Sequence, residues 1–241
     1  MKRKSLLGIM AIMMAAVVSL SVSSCKKDSN NSGGNSGGSN GGNGTYSGHS
    51  YVDLGLPSGT LWATCNVGAD TPEGYGDYFA WGETTPKSYY YWNTYRYCSG
   101  GSGWALNKYC SNAEYGYNGF TDNLTTLLPE DDAANVNWGS GWCMATYDQW
   151  VELFNNTTLT WETQNDVYGR LFTASNGNSI FLPAAGWRIY DGSEFIGTSC
   201  IYWTSSLNTD EPDCACQFID FKMSRIGTRD GGRSVRAVRS F

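Results

Sequence analysis

Residues 29–44 of this chain are all Ser, Asn or Gly. A stretch with nothing apolar to bury cannot offset the entropy of ordering itself, so any packed domain must lie C-terminal to it. The tether is read as residues 25–48. Treated as a random coil, residues 26–48 have an r.m.s. reach of about 25–29 Å.

Upstream, Lys2-Arg3-Lys4 precede an apolar run over residues 6–20, the small-residue step Val22-Ser23-Ser24, and then Cys25. A cationic start and a short apolar run are the two parts of a secretory signal. The run is shorter than the ~20 residues that span a bilayer. Residues 1–24 are therefore expected to be a lipoprotein signal peptide, with Cys25 as the acylated first residue of the mature chain. Several acyl chains anchor firmly where one is marginal. The expected location is the outer membrane, lipid-anchored through Cys25, at the cell surface or on the periplasmic face.

The chain carries a net charge of −6, and losing Lys2, Arg3 and Lys4 with the signal takes that to −9. An acidic surface without a basic run argues against nucleic acid as a partner. Charged residues make up 16% of the sequence, against 30 Gly, 16 Tyr and 10 Trp. That balance points to a loop-rich domain containing β-structure and aromatic packing, over residues 49–241. Beyond Cys25 stand Cys65, Cys98, Cys110, Cys143, Cys200, Cys214 and Cys216. An oxidising envelope permits disulfides, and an odd count leaves at least one thiol over. Cys98 and Cys110 bracket a Gly-rich loop and are the expected local bridge; reduced, buried cysteines are the alternative.

Strands are expected at residues 51–54, 61–67, 78–81, 171–174, 180–183, 201–205, 215–221 and 235–238, separated by turn-forming residues. Thr146-Tyr147-Asp148-Gln149 is a capping box, with Trp150, Leu153 and Phe154 as the apolar face of the helix it starts. Residues 84–120 lack periodicity, and a loop of that length inside a domain is often functional. The fold class is α+β: mostly antiparallel short strands, one or two short helices and long loops.

Several ordered landmarks carry a resemblance. Tyr51-Val52-Asp53-Leu54-Gly55-Leu56-Pro57-Ser58-Gly59-Thr60-Leu61-Trp62 opens the domain, and Tyr78-Phe79-Ala80-Trp81-Gly82-Glu83 comes next. Then come Trp138-Gly139-Ser140-Gly141-Trp142-Cys143-Met144-Ala145-Thr146, Leu182-Pro183-Ala184-Ala185-Gly186, Tyr202-Trp203-Thr204-Ser205-Ser206 and Gly232-Arg233-Ser234-Val235-Arg236-Ala237-Val238-Arg239. Over nearly all of residues 49–241 the chain resembles the major-paralogous-domain (FISUMP) family of bacterial lipoproteins. Family members usually carry Pro where this chain has Ala145. The resemblance implies a C-type-lectin-like fold, shared with formylglycine-generating enzymes, and a surface setting. It implies no particular activity.

The one histidine, His49, sits beside the tether and is expected to be solvated, so no His-based triad or zinc cluster is available. Cys214-Ala215-Cys216 places two thiols on one face of a strand; their surroundings do not match the oxidase pattern, and a structural role is expected. Glu211-Pro212-Asp213 resembles the calcium-binding tripeptides of true C-type lectins. Hard-cation coordination needs more oxygens than that, and Gln217-Phe218-Ile219-Asp220 replaces the Trp-Asn-Asp step. Glu130-Asp131-Asp132 could also hold a metal, but more simply complements a helix dipole ahead of Ala133 and Ala134. Glu211, Asp213, Glu130, Asp131 and Asp132 thus stand as candidate metal ligands for a structural calcium, and no cofactor is otherwise expected.

Tyr89-Tyr90-Tyr91-Trp92, Tyr95, Tyr97 and Trp104 lie in a loop region too long to bury them all. Tyr90, Tyr91, Trp92, Asp210 and Asp213 are the candidate ligand contacts, on a surface formed by residues 202–213 and the Tyr-rich region. Arg225, Arg229, Arg233, Arg236 and Arg239 are expected to pair internally with carboxylates. The function expected is a non-catalytic binding or adhesion module for an extracellular glycan or protein. The alternatives are a formylglycine-generating-type oxidoreductase and a display protein hypervariable over residues 207–230.

Overall fold

The structure, a computed structural model, describes residues 42–240. The expected signal peptide, Cys25 and most of the expected tether lie outside the described residues. The chain forms β1 (Gly44–Tyr46), β2 (His49–Asp53), β3 (Leu61–Asn66), α1 (Ala133–Trp138), β4 (Cys143–Met144) and α2 (Tyr147–Asn156). It continues through β5 (Thr157–Gln164), β6 (Val167–Ala174), β7 (Ser179–Pro183), β8 (Trp187–Ile189) and β9 (Gly192–Glu194). The last elements are β10 (Ile201–Leu207), β11 (Cys214–Ile219), β12 (Lys222–Thr228), β13 (Gly232–Arg233) and β14 (Arg236–Arg239).

The strands make a five-stranded sheet, β1-β2-β3-β14-β4, and three-stranded sheets β5-β6-β7, β10-β11-β12 and β13-β8-β9, all paired antiparallel. Strands predominate, helices are short, and loops are long: a small α+β or mostly-β fold of antiparallel strands. Gly44 already pairs with Tyr51, so strand begins inside the segment read as tether.

The capping box forms as expected. Thr146 Oγ1 accepts from Gln149 N at 3.2 Å, and Gln149 Oε1 accepts from Thr146 N at 2.9 Å. The helix it starts buries Trp150 and Leu153. Phe154, expected on the same face, is exposed. Trp150 stacks on Phe218 at 4.9 Å and meets Trp62 edge-on at 4.9 Å, joining α2 to β11 and β3.

A second core gathers Trp81, Tyr90, Tyr95, Tyr97, Tyr109, Trp142 and Trp203. Its polar ends are hydrogen-bonded, as buried Tyr and Trp require. Tyr95 donates to Trp81 O at 2.7 Å, Trp81 Nε1 to Thr204 O at 2.8 Å and Trp203 Nε1 to Phe79 O at 2.8 Å. His49, expected at a solvated edge, is half-buried in β2 and stacks on Trp138 at 3.9 Å; burial lowers its pKa.

Three of the C-terminal arginines, Arg229, Arg233 and Arg236, depart from expectation. Arg229 and Arg236 are wholly buried, yet the groups they donate to are neutral. Arg229 donates to Tyr95 Oη and to the carbonyls of Lys108, Tyr109 and Pro212. Arg236 donates to Asn66 Oδ1 and to the carbonyls of Ala63, Thr64 and Phe181. Arg233 bonds Gln217 and the carbonyls of Thr228 and Gly231. The planar fork of five donors suits convergent backbone oxygens.

Cys98 and Cys110 are free thiols. Each bonds within its own turn: the Cys98 thiol with Ser102 O at 3.1 Å, that of Cys110 with Asn112 O at 3.1 Å. The local bridge expected from their spacing is therefore not made.

Candidate binding surface

Residues 84–120 are held by turns and single bridges, not by a sheet. Tyr90 N donates to Tyr190 O and Tyr190 N to Tyr90 O, both at 2.8 Å. This short extended pairing alternates side chains. Tyr90 turns inward, 1% exposed, and its hydroxyl donates to Tyr78 O; it is a core residue and not the ligand contact expected of it. Tyr89 and Tyr91 turn outward and flank Tyr190, at ring separations of 5.9 and 5.2 Å.

Leu106 organises the next part of the loop. Its N–H donates to Tyr115 O and its carbonyl accepts from Tyr117 N, each at 2.8 Å. Tyr115 thereby lies against Trp104, with rings parallel within 11° and centroids 4.5 Å apart. Trp104 is 61% exposed, so this stacked pair presents an indole to solvent.

The loop between β10 and β11 sits directly against these aromatics. Ser111 Oγ donates to Thr209 O at 2.7 Å, and Arg229 clamps Pro212 O from below at 2.8 Å. Gly103 marks the closest approach: a Cβ there would lie 2.9 Å from Trp92 Cζ2 and 3.0 Å from Asp213 Cβ. Trp92, Trp104, Asp213 and Glu211 are thus drawn together from segments over a hundred residues apart in sequence. Asp210 is exposed on the same short loop.

Burial and then the neighbouring Glu211 raise the pKa of Asp213, against the pull of Arg229. Desolvation, and then the Asp213 and Glu211 carboxylates, raise that of Tyr115. Among the described residues the ion pairs join Lys87 to Glu83 and Lys108 to Asp131, leaving no cation paired with Glu114, Asp210, Glu211 or Asp213.

Other candidates are differently placed. The expected surface over residues 202–213 is mostly interior, because β10 is buried with Tyr202 and Trp203 in the cores; only residues 209–211 are exposed, with Asp213 half-buried beyond the buried Pro212. Asp131 is buried under Tyr97, Tyr109 and Lys108, all donating to it. Asp132 caps α1, accepting from Ala134 N, Asn135 N and Met144 N. Both carboxylates are engaged internally, and Glu130 is exposed beside them. Among the described residues no group of three or more His, Cys, Asp or Glu side chains gathers to hold a metal ion.

Cys214 and Cys216 are buried, and burial pushes their thiols up to about 12 and about 11. At neutral pH they are protonated and so poor nucleophiles.

Two surface residues escaped the sequence reading. Tyr115 and Tyr190 each complete an aromatic group, and neither stands near its partners in sequence. Tyr89, Tyr90 and Tyr91 are identical in type, so only the extended backbone at the Tyr90–Tyr190 bridge, and no signal in the sequence, separates the inward residue from the outward pair. No family model matches the chain, and no curated protein and no solved structure matches it.

Proposed function

We propose that this protein is a lipid-anchored envelope lipoprotein whose folded domain, C-type-lectin-like and of the FISUMP kind, is a non-catalytic recognition module for an extracellular glycan or protein. The observation that carries the reading is the exposed Trp104–Tyr115 stack, set beside Glu211 and Asp213 on loops pinned to a rigid base. Aromatic faces provide contact area at little entropic cost, and side carboxylates provide acceptors for hydroxyl or amine donors. Long loops held on a packed scaffold suit recognition. The protonated, buried thiols of Cys214 and Cys216 give the oxidoreductase alternative little support.

The test is a glycan and mucin array probed with the folded protein, with calcium and then with chelator. Binding that survives chelation and is lost in Trp104→Ala is expected. Calcium-dependent binding lost in Asp213→Ala would instead make Glu211-Pro212-Asp213 a cation site. Silence on the array from a folded sample sinks the glycan reading and leaves protein adhesion.

A further inference from the structure

We infer that the Trp104 platform selects sugars bearing a free amine, an oligosaccharide of unacetylated amino sugar being the ligand that fits it. The inference rests on the recognition reading above and specifies its ligand. The exposed indole of Trp104 is a flat apolar surface, held parallel to Tyr115 at 4.5 Å. One face of a pyranose ring is flat and rich in C–H, and would cover such an indole.

The charge at its rim is of one sign. Glu211, Asp210 and Glu114 are exposed, Asp213 is half-buried, and none of the four is ion-paired. The guanidinium that acts on Asp213 is that of Arg229, whose donors are engaged by Tyr95, Lys108, Tyr109 and Pro212. A carboxylated or sulfated sugar brought here would meet repulsion without a cation to receive it. An ammonium would meet both the negative face of the indole and unpaired carboxylates, the two features that attract a cation at an aromatic surface.

Lysine side chains offer the same charge, but a peptide needs a strand edge to extend or a groove to fill. Residues 99–117 offer turns and single bridges only. A rigid ring carrying its own ammonium satisfies the indole and the carboxylates from a single unit, without ordering a flexible chain.

The probes are a tetrasaccharide of β-1,4-linked glucosamine and its fully N-acetylated counterpart. Both are titrated calorimetrically into the full-length protein at mildly acidic pH, in low salt and then high salt. The amine form is expected to bind roughly tenfold more tightly in low salt, an advantage that shrinks as salt screens the carboxylates. Trp104→Ala should abolish binding of both sugars. Glu211→Gln combined with Asp213→Asn should lower the amine form to the affinity of the acetylated one and leave the latter unchanged. Trp104 and Glu211 are at the surface, and near-ultraviolet circular dichroism verifies that each variant is folded.

Equal or tighter binding of the acetylated sugar overturns amine selection while leaving glycan recognition standing. Failure of both sugars to bind overturns this proposal. Binding of a lysine-rich peptide with neither sugar bound overturns it in favour of a protein ligand.

Discussion

Asp131 and Asp132 adjoin in sequence, and their surroundings push their proton affinities in opposite directions. Burial alone would raise Asp131, but hydrogen bonds from Lys108, Tyr109 and Tyr97 overcome it and hold the carboxyl below its ordinary value. Asp132 is buried without a cation, and three backbone N–H donors only partly offset desolvation, leaving it raised to about 6. A carboxyl raised in the folded state contributes stability that is fully present below its unfolded value and lost as pH rises through its folded value. For Asp132 that window runs from about pH 4 to about pH 6, and the shift of about two units corresponds to about 3 kcal/mol. Asp131 has the reverse sign: its contribution is present at neutral pH and lost as pH falls through its lowered value. Denaturant unfolding between pH 4 and 7 should therefore lose a downward slope in Asp132→Asn. Asp131→Asn should weaken the protein most at neutral pH. A wild-type slope unchanged by Asp132→Asn would contradict this account. The sequence reading saw the pair as dipole-complementing acids. It could not see that Tyr97 and Tyr109, from a loop without periodicity, cover only one of them.

At the scale of elements, legibility tracks how local the cause is. The Thr146–Gln149 capping box spans four residues, and α2 starts where it says. The strands at β2, β3, β6, β7, β10, β11 and β14 were legible from apolar or alternating runs bounded by turn residues. β5 was not, because α2 runs into it at Thr157 with no connecting residue between. β12 was missed because it is largely exposed and polar, with no hydrophobic run to mark it. Residues 78–81 were read as a strand, but only Phe79 pairs, with Arg233.

The β8–β9 hairpin provides a test of close packing. Gly186 has φ of +59°, and a Cβ there would stand 2.0 Å from Glu194 O. Gly197 has φ of +74° with nothing within 4 Å of such a Cβ. Both alanine substitutions incur the left-handed backbone strain of about 1–2 kcal/mol. Gly186→Ala must in addition displace the chain around Glu194, so thermal unfolding should show it as the clearly more destabilised of the two. Equal losses would mean that the hairpin yields freely and is not packed as described.

For the whole molecule, the C-terminal segment acts as a set of struts between sheets. Arg236, on β14, reaches the carbonyls of Ala63 and Thr64 on β3 and of Phe181 on β7. It also holds Asn66, whose amide donates to the buried Tyr202 hydroxyl. Arg229 reaches two loops, residues 84–120 through Tyr95 and the adjacent carbonyls of Lys108 and Tyr109, and the β10–β11 loop through Pro212. None of this was legible, because carbonyl acceptors belong to every residue and carry no side-chain signature. An arginine-rich tail in an acidic chain therefore read as a set of ion pairs. The difference has a measurable consequence. Attraction to carboxylates weakens when salt screens it, whereas hydrogen bonds to buried carbonyls are little affected. Unfolding free energy should therefore not fall between low salt and about 1 M NaCl, a concentration at which the Debye length is about 3 Å. Arg236→Met should cost roughly 3–5 kcal/mol, because it removes the guanidinium donor from three carbonyls and from Asn66 together, in a largely buried setting. The same loss should appear at both salt concentrations. A loss that shrank markedly in high salt would return the arginines to the electrostatic role expected from sequence, and the struts would have to be charge pairs after all.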